Sequence, residues 1–433
     1  MHDLTYPAEL PITPLTTTPG ATVTVPGSKS ITNRALVLAA MGGIHSCELR
    51  GALQSEDTEV MIRALQRLGC HVEADQDERT TLFVSHPEQL EQAPDTADLF
   101  VGNSGTTVRF LTAMLGTLTG RFRLDGVPRM RERPIEELLD GMRQLGVDAR
   151  SEGGNGCPPV AVNAKGRMGG TARIRGDRSS QFLSGLLMVG PFTRTETVIE
   201  IDGPLVSEPY VAMTLAMIDQ FGYQVDVGPG HRYRFPPNQG RHFCGGYDIE
   251  PDASAASYFW AAAAVTGGRV TVTGLTRKSL QGDVRFVDVL AQMGCRVEEC
   301  ESGITVHGGR LRGVDADMND ISDTVMTLGA VALFADGPTT IRNVAHIRHK
   351  ETDRIAALAN ELRKFGAGVE EREDGLTITP RPLRGAAVDT YNDHRMAMSL
   401  ALVGLKVPGV VIRNPGCVAK TYPGFWQDWE KLR

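Results

Sequence analysis

Val101–Leu115 reads VGNSGTTVRFLTAML. A cluster of Gly, Ser, Asn and Thr gives way to a mostly apolar run with one arginine, Arg109, in its first turns. Asn103 or Ser104 can accept a backbone N–H left open at the start of a helix. Gly102 and Gly105 leave bare backbone whose N–H groups can approach an anion, helped by the helix dipole. One such segment is an ordinary capped helix after a turn. Five more share its pattern: SKSITNRALVLAAM from Ser28, SSQFLSGLLMVG from Ser179, DASAASYFWAAAAV from Asp252, SDTVMTLGAVALF from Ser322 and NDHRMAMSLALVGL from Asn392.

Successive starts lie roughly 70 to 76 residues apart, a period that points to an internal repeat. Two further marks keep the register. A β-rich run ends in Gly or Asn at Gly51, Gly126, Gly203, Gly274, Asn343 and Asn414. A helix end with a glycine cap leads into a strand at Gly69, Gly146, Gly222, Gly294 and Gly366. Each copy reads strand, apolar helix, strand, amphipathic helix, strand, strand, which is βαβαββ. The first helix, apolar nearly all round, belongs in the interior, and the second, charged helix belongs outside.

The copies fall into two groups of three, separated by the Gly-, Pro-, Arg- and His-rich stretch from Gly228 to Tyr247. The expected domains are residues 28–247, and residues 1–27 with 248–433. They are joined by a two-strand hinge at about Val25–Gly27 and Gly245–Glu250. Copy six stops before its Gly-capped return strand, and the N-terminal strand near Val23 is expected to supply the missing piece.

A chain of 433 residues can bury two or three cores, and 41% hydrophobic with 22% charged residues is ordinary for a soluble α/β protein. The net charge of −7 argues against a general nucleic-acid surface, so cationic clusters must be local. Seven cysteines without a Cys-x-x-Cys pair fit free thiols in a cytoplasmic protein. No signal-peptide pattern opens the chain, and no apolar run is long enough to span a membrane.

Polar residues gather at the helix starts. Lys29, Ser30 and Arg34 open copy one, without the spacing of a nucleotide P-loop. Arg109 follows GNSGT, and Arg129, Arg131 and Arg133 crowd VPRMRERP. Ser179, Ser180 and Gln181 open copy three, and Ser207 and Tyr210 stand in LVSEPY. Asp323 opens copy five, followed by Lys350, Glu351 and Arg354 in HKETDR. Asp393, His394 and Arg395 open copy six, and Lys420 lies in AKTYP. Taken singly, each cation reads as a solvated charge and each aspartate as an N-cap. Taken together, cations beside positive helix ends call for anions, so the pattern points to small substrates with two or more anionic groups. Asp323 and Glu351 are the carboxylates placed for proton transfer.

PGSKSITNRA, GNSGT with Arg109, PRMRERP, SSQF, LVSEPY, DASAAS, KETDR, YNDHRMAM and AKTYP occur in this order along the whole chain. In this the sequence resembles the 5-enolpyruvylshikimate 3-phosphate synthase family of enolpyruvyl transferases. The resemblance implies three repeats around a pseudo-threefold axis in each domain. It implies enolpyruvyl transfer from phosphoenolpyruvate to shikimate 3-phosphate in the shikimate pathway, by addition and elimination, with no metal or organic cofactor. The first domain would be the shikimate 3-phosphate side, and the second the phosphoenolpyruvate and acid/base side.

By motif, Lys29, Asn103, Gly105, Arg133, Gln181, Arg354, Arg395 and Lys420 correspond to phosphoenolpyruvate contacts. Lys29, Ser30, Arg34, Ser179, Ser180, Gln181, Ser207, Tyr210, Asp323 and Lys350 correspond to shikimate 3-phosphate contacts. Asp323, Glu351, Lys29 and His394 are the proton-transfer candidates. The expected partners are these two small anions, with no nucleic acid and no membrane, acting on a monomeric chain. Two positions depart from well-known bacterial members: His346 replaces an Asn that contacts the sugar, and Phe110 replaces a Pro found in some. Gly105 is the position where, in the family, an added methyl crowds glyphosate, so its presence implies sensitivity.

Two rivals stay open at this stage. The sister enzyme acting on UDP-N-acetylglucosamine carries a reactive Cys or Asp in a second-repeat loop, and this chain has no cysteine between Cys70 and Cys157. A non-catalytic anion-binding repeat protein would leave Asp323 and Glu351 without a purpose.

Overall fold

Side-chain oxygens at the repeat starts accept the first free backbone N–H groups of the helices, as the pattern requires. Ser104 accepts from Thr107, Ser179 from Gln181, Asp252 from Ala255 and Asp393 from Arg395. The computed structural model describes residues 5–85, 94–237 and 239–433, with the backbone alone at 43–45 and 244. The chain divides into two units: Gly27–Ile249, here the middle unit, and Glu250–Arg433 with the N-terminal stretch through Pro26, here the terminal unit.

The middle unit contains α1 (Lys29–Gly42), α2 (Glu56–Arg67), α3 (Gly105–Leu115), α4 (Glu136–Gln144), α5 (Ser180–Val189) and α6 (Glu208–Gln220). Helices α1, α3 and α5 touch one another pairwise, and every residue of α3 is buried. The terminal unit contains α7 (Ala253–Thr266), α8 (Phe286–Met293), α9 (Val325–Ala332), α10 (Arg354–Lys364), α11 (His394–Gly404) and α12 (Phe425–Trp429). Here α7, α9 and α11 form the corresponding buried trio. The second helices keep a solvent face; α2, for instance, starts with a Ser55–Thr58 capping box and three acids in its first turn.

Copies two, three and five each build a small sheet whose first two strands are parallel, bridged by the buried helix, and whose last two add antiparallel. In copy two, Thr96–Phe100 lies parallel to Thr119–Asp125, which pairs antiparallel with Val160–Lys165, and that with Asp148–Ser151. The helix-ending glycines take left-handed φ throughout, with Gly146 at +85° and Gly294 at +114°. The β-rich runs end likewise, except at Gly126, where a Cβ would come within 2.2 Å of the Gly102 carbonyl oxygen.

Two expectations need correction. The strand near Val23 does not complete copy six. Gly20–Val23 runs parallel to Arg269–Thr273 in copy four, and Glu9–Ile12, antiparallel to Val410–Arg413, completes copy six. The reason is a strand exchange. Phe243–Asp248, which precedes α7 in the chain, pairs parallel with Gly43–Arg50 in copy one. Copy four thereby lacks a leading strand of its own, and the segment before α1 fills that place. The helix of copy five also starts later than Ser322. A 3₁₀ turn, Asn319–Thr324, precedes α9, and the Ser322 hydroxyl lies 2.9 Å from Nε2 of His346 instead of capping a helix.

Candidate active site

In the middle unit, the starts of α1, α3 and α5 carry the predicted residues. Lys29, the first residue of α1, places Nζ 3.5 Å from the Asp57 carboxylate. Arg34, one turn on, is 1% exposed. Its Nε donates to Thr214 Oγ1 at 2.8 Å and Nη1 to the Ser30 carbonyl at 2.9 Å. Its Nη2 donates to Ser184 Oγ at 3.1 Å and to the Tyr210 carbonyl at 3.3 Å. The Phe110 ring lies 5.0 Å from the guanidinium, so the residue that departs from Pro packs against α1 inside a continuous α3. All of these partners of Arg34 are uncharged, and burial pushes its pKa down to about 10. The result is a buried positive charge beside helix N-termini, an environment that favours an anion.

The second cluster in this unit centres on Gly105. Arg109 donates from Nη1 to Gln181 Oε1 at 2.6 Å and from Nη2 to the Pro134 carbonyl at 3.0 Å. Gln181 in turn donates to Thr106 Oγ1 at 3.3 Å. Arg133 Nη1 donates to the Asn103 carbonyl at 2.9 Å. Gly105 lies between the two guanidinium groups: a Cβ there would stand 2.3 Å from Arg133 Nη2 and 2.8 Å from Arg109 Nη1. Asn103, Gly105, Arg133 and Gln181 thus come together. Arg129 and Arg131 do not join them, since they form exposed ion pairs with Glu132 and Asp125. Ser179 caps α5 and Ser180 is buried in its first turn. Ser207 precedes α6 in a left-handed conformation, φ 51° and ψ 46°, the kind of local strain found where a loop is fitted to a ligand.

The terminal unit brings its candidates into one buried ion-pair network. Arg354, 1% exposed, donates from Nε to Asp393 Oδ2 at 2.8 Å, from Nη1 to Asp323 Oδ1 at 3.1 Å and from Nη2 to Glu351 Oε2 at 2.8 Å. Burial works against its charge, but the fields of Asp393, Glu351 and Asp323 outweigh burial and raise its pKa above the ordinary arginine value. Arg395 Nη2 donates to Asp323 Oδ2 at 2.6 Å, so two arginines hold the Asp323 carboxylate. Lys420 Nζ lies 3.9 Å from Glu351 Oε1, and His394, buried, places Nδ1 3.7 Å from Asp393 Oδ1. Lys350 is half-buried, and its charge falls on His346. Burial, reinforced by Lys350, pushes the His346 pKa down to about 3, so His346 is a neutral hydrogen-bonding group at neutral pH.

Sequence reasoning missed Asp283. It is buried in the 3₁₀ turn Gly282–Arg285 and accepts a hydrogen bond from the Ser254 hydroxyl. Burial and the charge of Asp323 push its pKa up to about 7. Nothing around it in QGDVR marks it as more than a turn residue.

These clusters can hold small polyanions and move protons with Asp323 or Glu351. Six of the seven cysteines are unbridged, Cys244 lying outside the described side chains. Among the described residues, no helix is long and apolar enough to cross a membrane.

A family model for EPSP synthase (3-phosphoshikimate 1-carboxyvinyltransferase) matches residues 16–429. A 3-phosphoshikimate 1-carboxyvinyltransferase of Trichormus variabilis is 46% identical over 420 residues, covering 95% of this chain and 96% of the relative. One from Shewanella denitrificans is 45% identical over 413 residues, covering 95% and 96%. Among solved structures, an EPSP synthase from Acinetobacter baumannii superposes with a TM-score of 0.80 at 25% identity, covering 98% of each chain. The enolpyruvyl transferase NikO of Streptomyces tendae shares the fold, with a TM-score of 0.77 at 20% identity over 98% of this chain and 96% of that one. The chain belongs to the EPSP synthase family, the 3-phosphoshikimate 1-carboxyvinyltransferases.

Proposed function

We propose that Asp323 and Glu351 move the protons of an enolpyruvyl transfer and that the cations around them and at the middle-unit helix starts hold its anions. The chain transfers the enolpyruvyl group of phosphoenolpyruvate to the 5-hydroxyl of shikimate 3-phosphate and releases phosphate, a step toward chorismate and the aromatic amino acids. In the addition, the 5-hydroxyl oxygen bonds to the central carbon of phosphoenolpyruvate while its proton passes to Asp323. The methylene carbon gains a proton from Glu351, assisted by Lys29 or His394, which gives a tetrahedral intermediate. In the elimination, Glu351 takes a proton back from the methyl group, the double bond re-forms, the carbon–oxygen bond to phosphate breaks, and the proton held on Asp323 leaves with the phosphate.

Phosphoenolpyruvate is held by Lys29, Arg133, Arg354, Arg395 and Lys420, with Asn103, Gly105 and Gln181 shaping its surroundings. Arginine forks match its carboxylate and phosphate, and the same groups stabilise the charge that develops as phosphate leaves. Shikimate 3-phosphate is held by Ser30, Arg34, Ser179, Ser180, Ser207, Tyr210, Asp323 and Lys350, with Lys29 and Gln181 shared. The enzyme is taken to act as a monomer in the cytoplasm.

The observation that carries the reading is the Asp323 carboxylate held by Arg354 and Arg395, with Glu351 on the same arginine. The test is phosphate release from phosphoenolpyruvate with shikimate 3-phosphate or with UDP-N-acetylglucosamine, for wild type, Asp323→Asn and Glu351→Gln. Release is expected with shikimate 3-phosphate only, reduced about 10²- to 10⁴-fold in each variant, as befits a lost acid or base. Release with the sugar nucleotide would overturn the acceptor, and undiminished release in both variants would overturn the proton-transfer roles.

A further inference from the structure

Asp283 is a buried acid that the reaction above does not use, yet its neighbours are the reacting groups. Its 3₁₀ turn packs against α7 and against the turn Asn319–Thr324 that carries Asp323, and an Arg285–Asp320 ion pair of 3.3 Å joins the two turns. The groups that face it include Ser254 and Asp252 from the start of α7, Asp323 from the second turn and Arg395 from α11. Burial, Asp323 and Asp252 favour its protonated form, whereas the Ser254 hydroxyl and Arg395 favour the ionised form. Arg395 is hydrogen-bonded to Asp323, and Asp283 lies buried in the turn packed against that of Asp323, so the two carboxyl groups, each acting on the other through its charge, titrate as a pair.

We infer that Asp283 is a positioning residue for the transfer: it holds a proton while Asp323 is ionised, leaving Arg395 to Asp323 and to the incoming anion. The inference rests on Asp323 being the base proposed above. When Asp323 takes the hydroxyl proton, the charge that held the proton on Asp283 is neutralised, so Asp283 binds its proton less tightly and the field at Arg395 changes less than it would with Asp323 alone. When Asp283 itself ionises at higher pH, a second negative charge competes with substrate for Arg395, and capture of phosphoenolpyruvate falls. Asp283 needs no contact with substrate for this.

The test is kcat/KM for phosphoenolpyruvate between about pH 6 and pH 9 for wild type, Asp283→Asn and Ser254→Ala, each expressed as a ratio to wild type. Ionisations of the substrates, Asp323 and Glu351 are common to all three and largely cancel. Asp283→Asn keeps the neutral form, so its ratio is expected near unity at about pH 6 and to rise about tenfold by about pH 9. Ser254→Ala removes a donor that favours the ionised form, and is expected to move the falling limb to higher pH. Ratios independent of pH in both variants would overturn the inference, and should Asp283→Asn fail to fold, the limb of Ser254→Ala decides alone. Asp323→Asn, run in parallel, separates the two readings. Its lost turnover with flat ratios refutes only the role of Asp283, whereas undiminished turnover refutes both.

Discussion

Replacing Gly105 by Ala puts a methyl group between two guanidinium groups. The new Cβ would lie 2.3 Å from Arg133 Nη2, and ordinary contact begins at 3.4 Å, so the end of Arg133 must retreat by about 1 Å. Its hydrogen bond to the Asn103 carbonyl, now 2.9 Å, cannot survive a displacement of that size in the direction away from α3. A hydrogen bond to a charged group contributes about 1.5–3 kcal/mol, so a substrate oxygen misplaced from Arg133 loses about ten- to a hundredfold in affinity. In the fold, the gain in helix propensity offsets part of the lost hydrogen bond. Gly105 is helical with no left-handed φ, and alanine is the better helix former. Steady-state kinetics in both substrates with a thermal melt are the assay. The KM for phosphoenolpyruvate is expected to rise about tenfold or more while kcat stays within about threefold and the melting temperature within about 2 °C. Glyphosate is expected to inhibit the wild type and to inhibit Gly105→Ala far less. An unchanged KM for phosphoenolpyruvate with unchanged inhibition would refute the placing of Arg133 at that substrate. An equal rise in both KM values with a lowered melt would show a general packing defect instead.

Arg354→Met removes the guanidinium shared by three carboxylates, with Asp393 fully buried among them, and is expected to cost about 3–5 kcal/mol in urea unfolding; a loss under about 1 kcal/mol would show that the network relaxes into water. His346 is held neutral with its pKa lowered to about 3, whereas the unfolded chain binds a proton near the ordinary histidine value, so its stabilising contribution is present above about pH 6.5 and is lost as pH falls toward 3. His346→Asn is therefore expected to remove a slope of about 1.4 kcal/mol per pH unit across that window, and identical slopes in the two proteins would contradict the buried neutral state. Gly146→Ala meets no atom within 4 Å but imposes φ +85° on a side chain, so a loss of about 1–2 kcal/mol is expected from the backbone alone, and no measurable loss would mean that the cap relaxes.

The repeat was legible because three of its marks are local. A hydroxyl or carboxylate before an apolar run caps a helix whatever surrounds it, as Ser104 and Asp252 do, and a glycine after an amphipathic helix takes the left-handed cap, as Gly146 and Gly294 do. Strand partnership is not local. ATVTV carries the same alternation whichever sheet receives it, and hydrophobic period alone cannot say that Gly20–Val23 lies beside Arg269–Thr273 while Glu9–Ile12 lies beside Val410–Arg413. The late start of α9 has a similar origin. Ser322 has the chemistry of an N-cap, but its hydroxyl is taken by His346, a partner from a later turn that no window around Ser322 contains.

The same distinction governs the site. Motif spacing brought Arg354, Asp323 and Arg395 to notice as separate charges, the arginines alone reading as solvated groups and the aspartate as an N-cap. Their burial on one another changes the physics, because an arginine with Asp393, Glu351 and Asp323 around it gains charge stability from burial partners that water would have screened. In the middle unit the logic runs the other way. Arg34 has shed its water for hydroxyl and carbonyl oxygens and stays a buried charge that burial weakens, a setting that favours an anion. Asp283 was invisible for a further reason: its identity is that of any turn aspartate, and its chemistry comes from Ser254, Asp323 and Arg395, three groups that reach it from three different repeats. A repeat scaffold places equivalent helix starts around a common core, so residues that are remote along the chain and unremarkable in their own copies become neighbours. In such a fold the individual charges can be found in sequence, but the couplings that tune them, such as that of Asp283 to Asp323, exist only once the copies have packed.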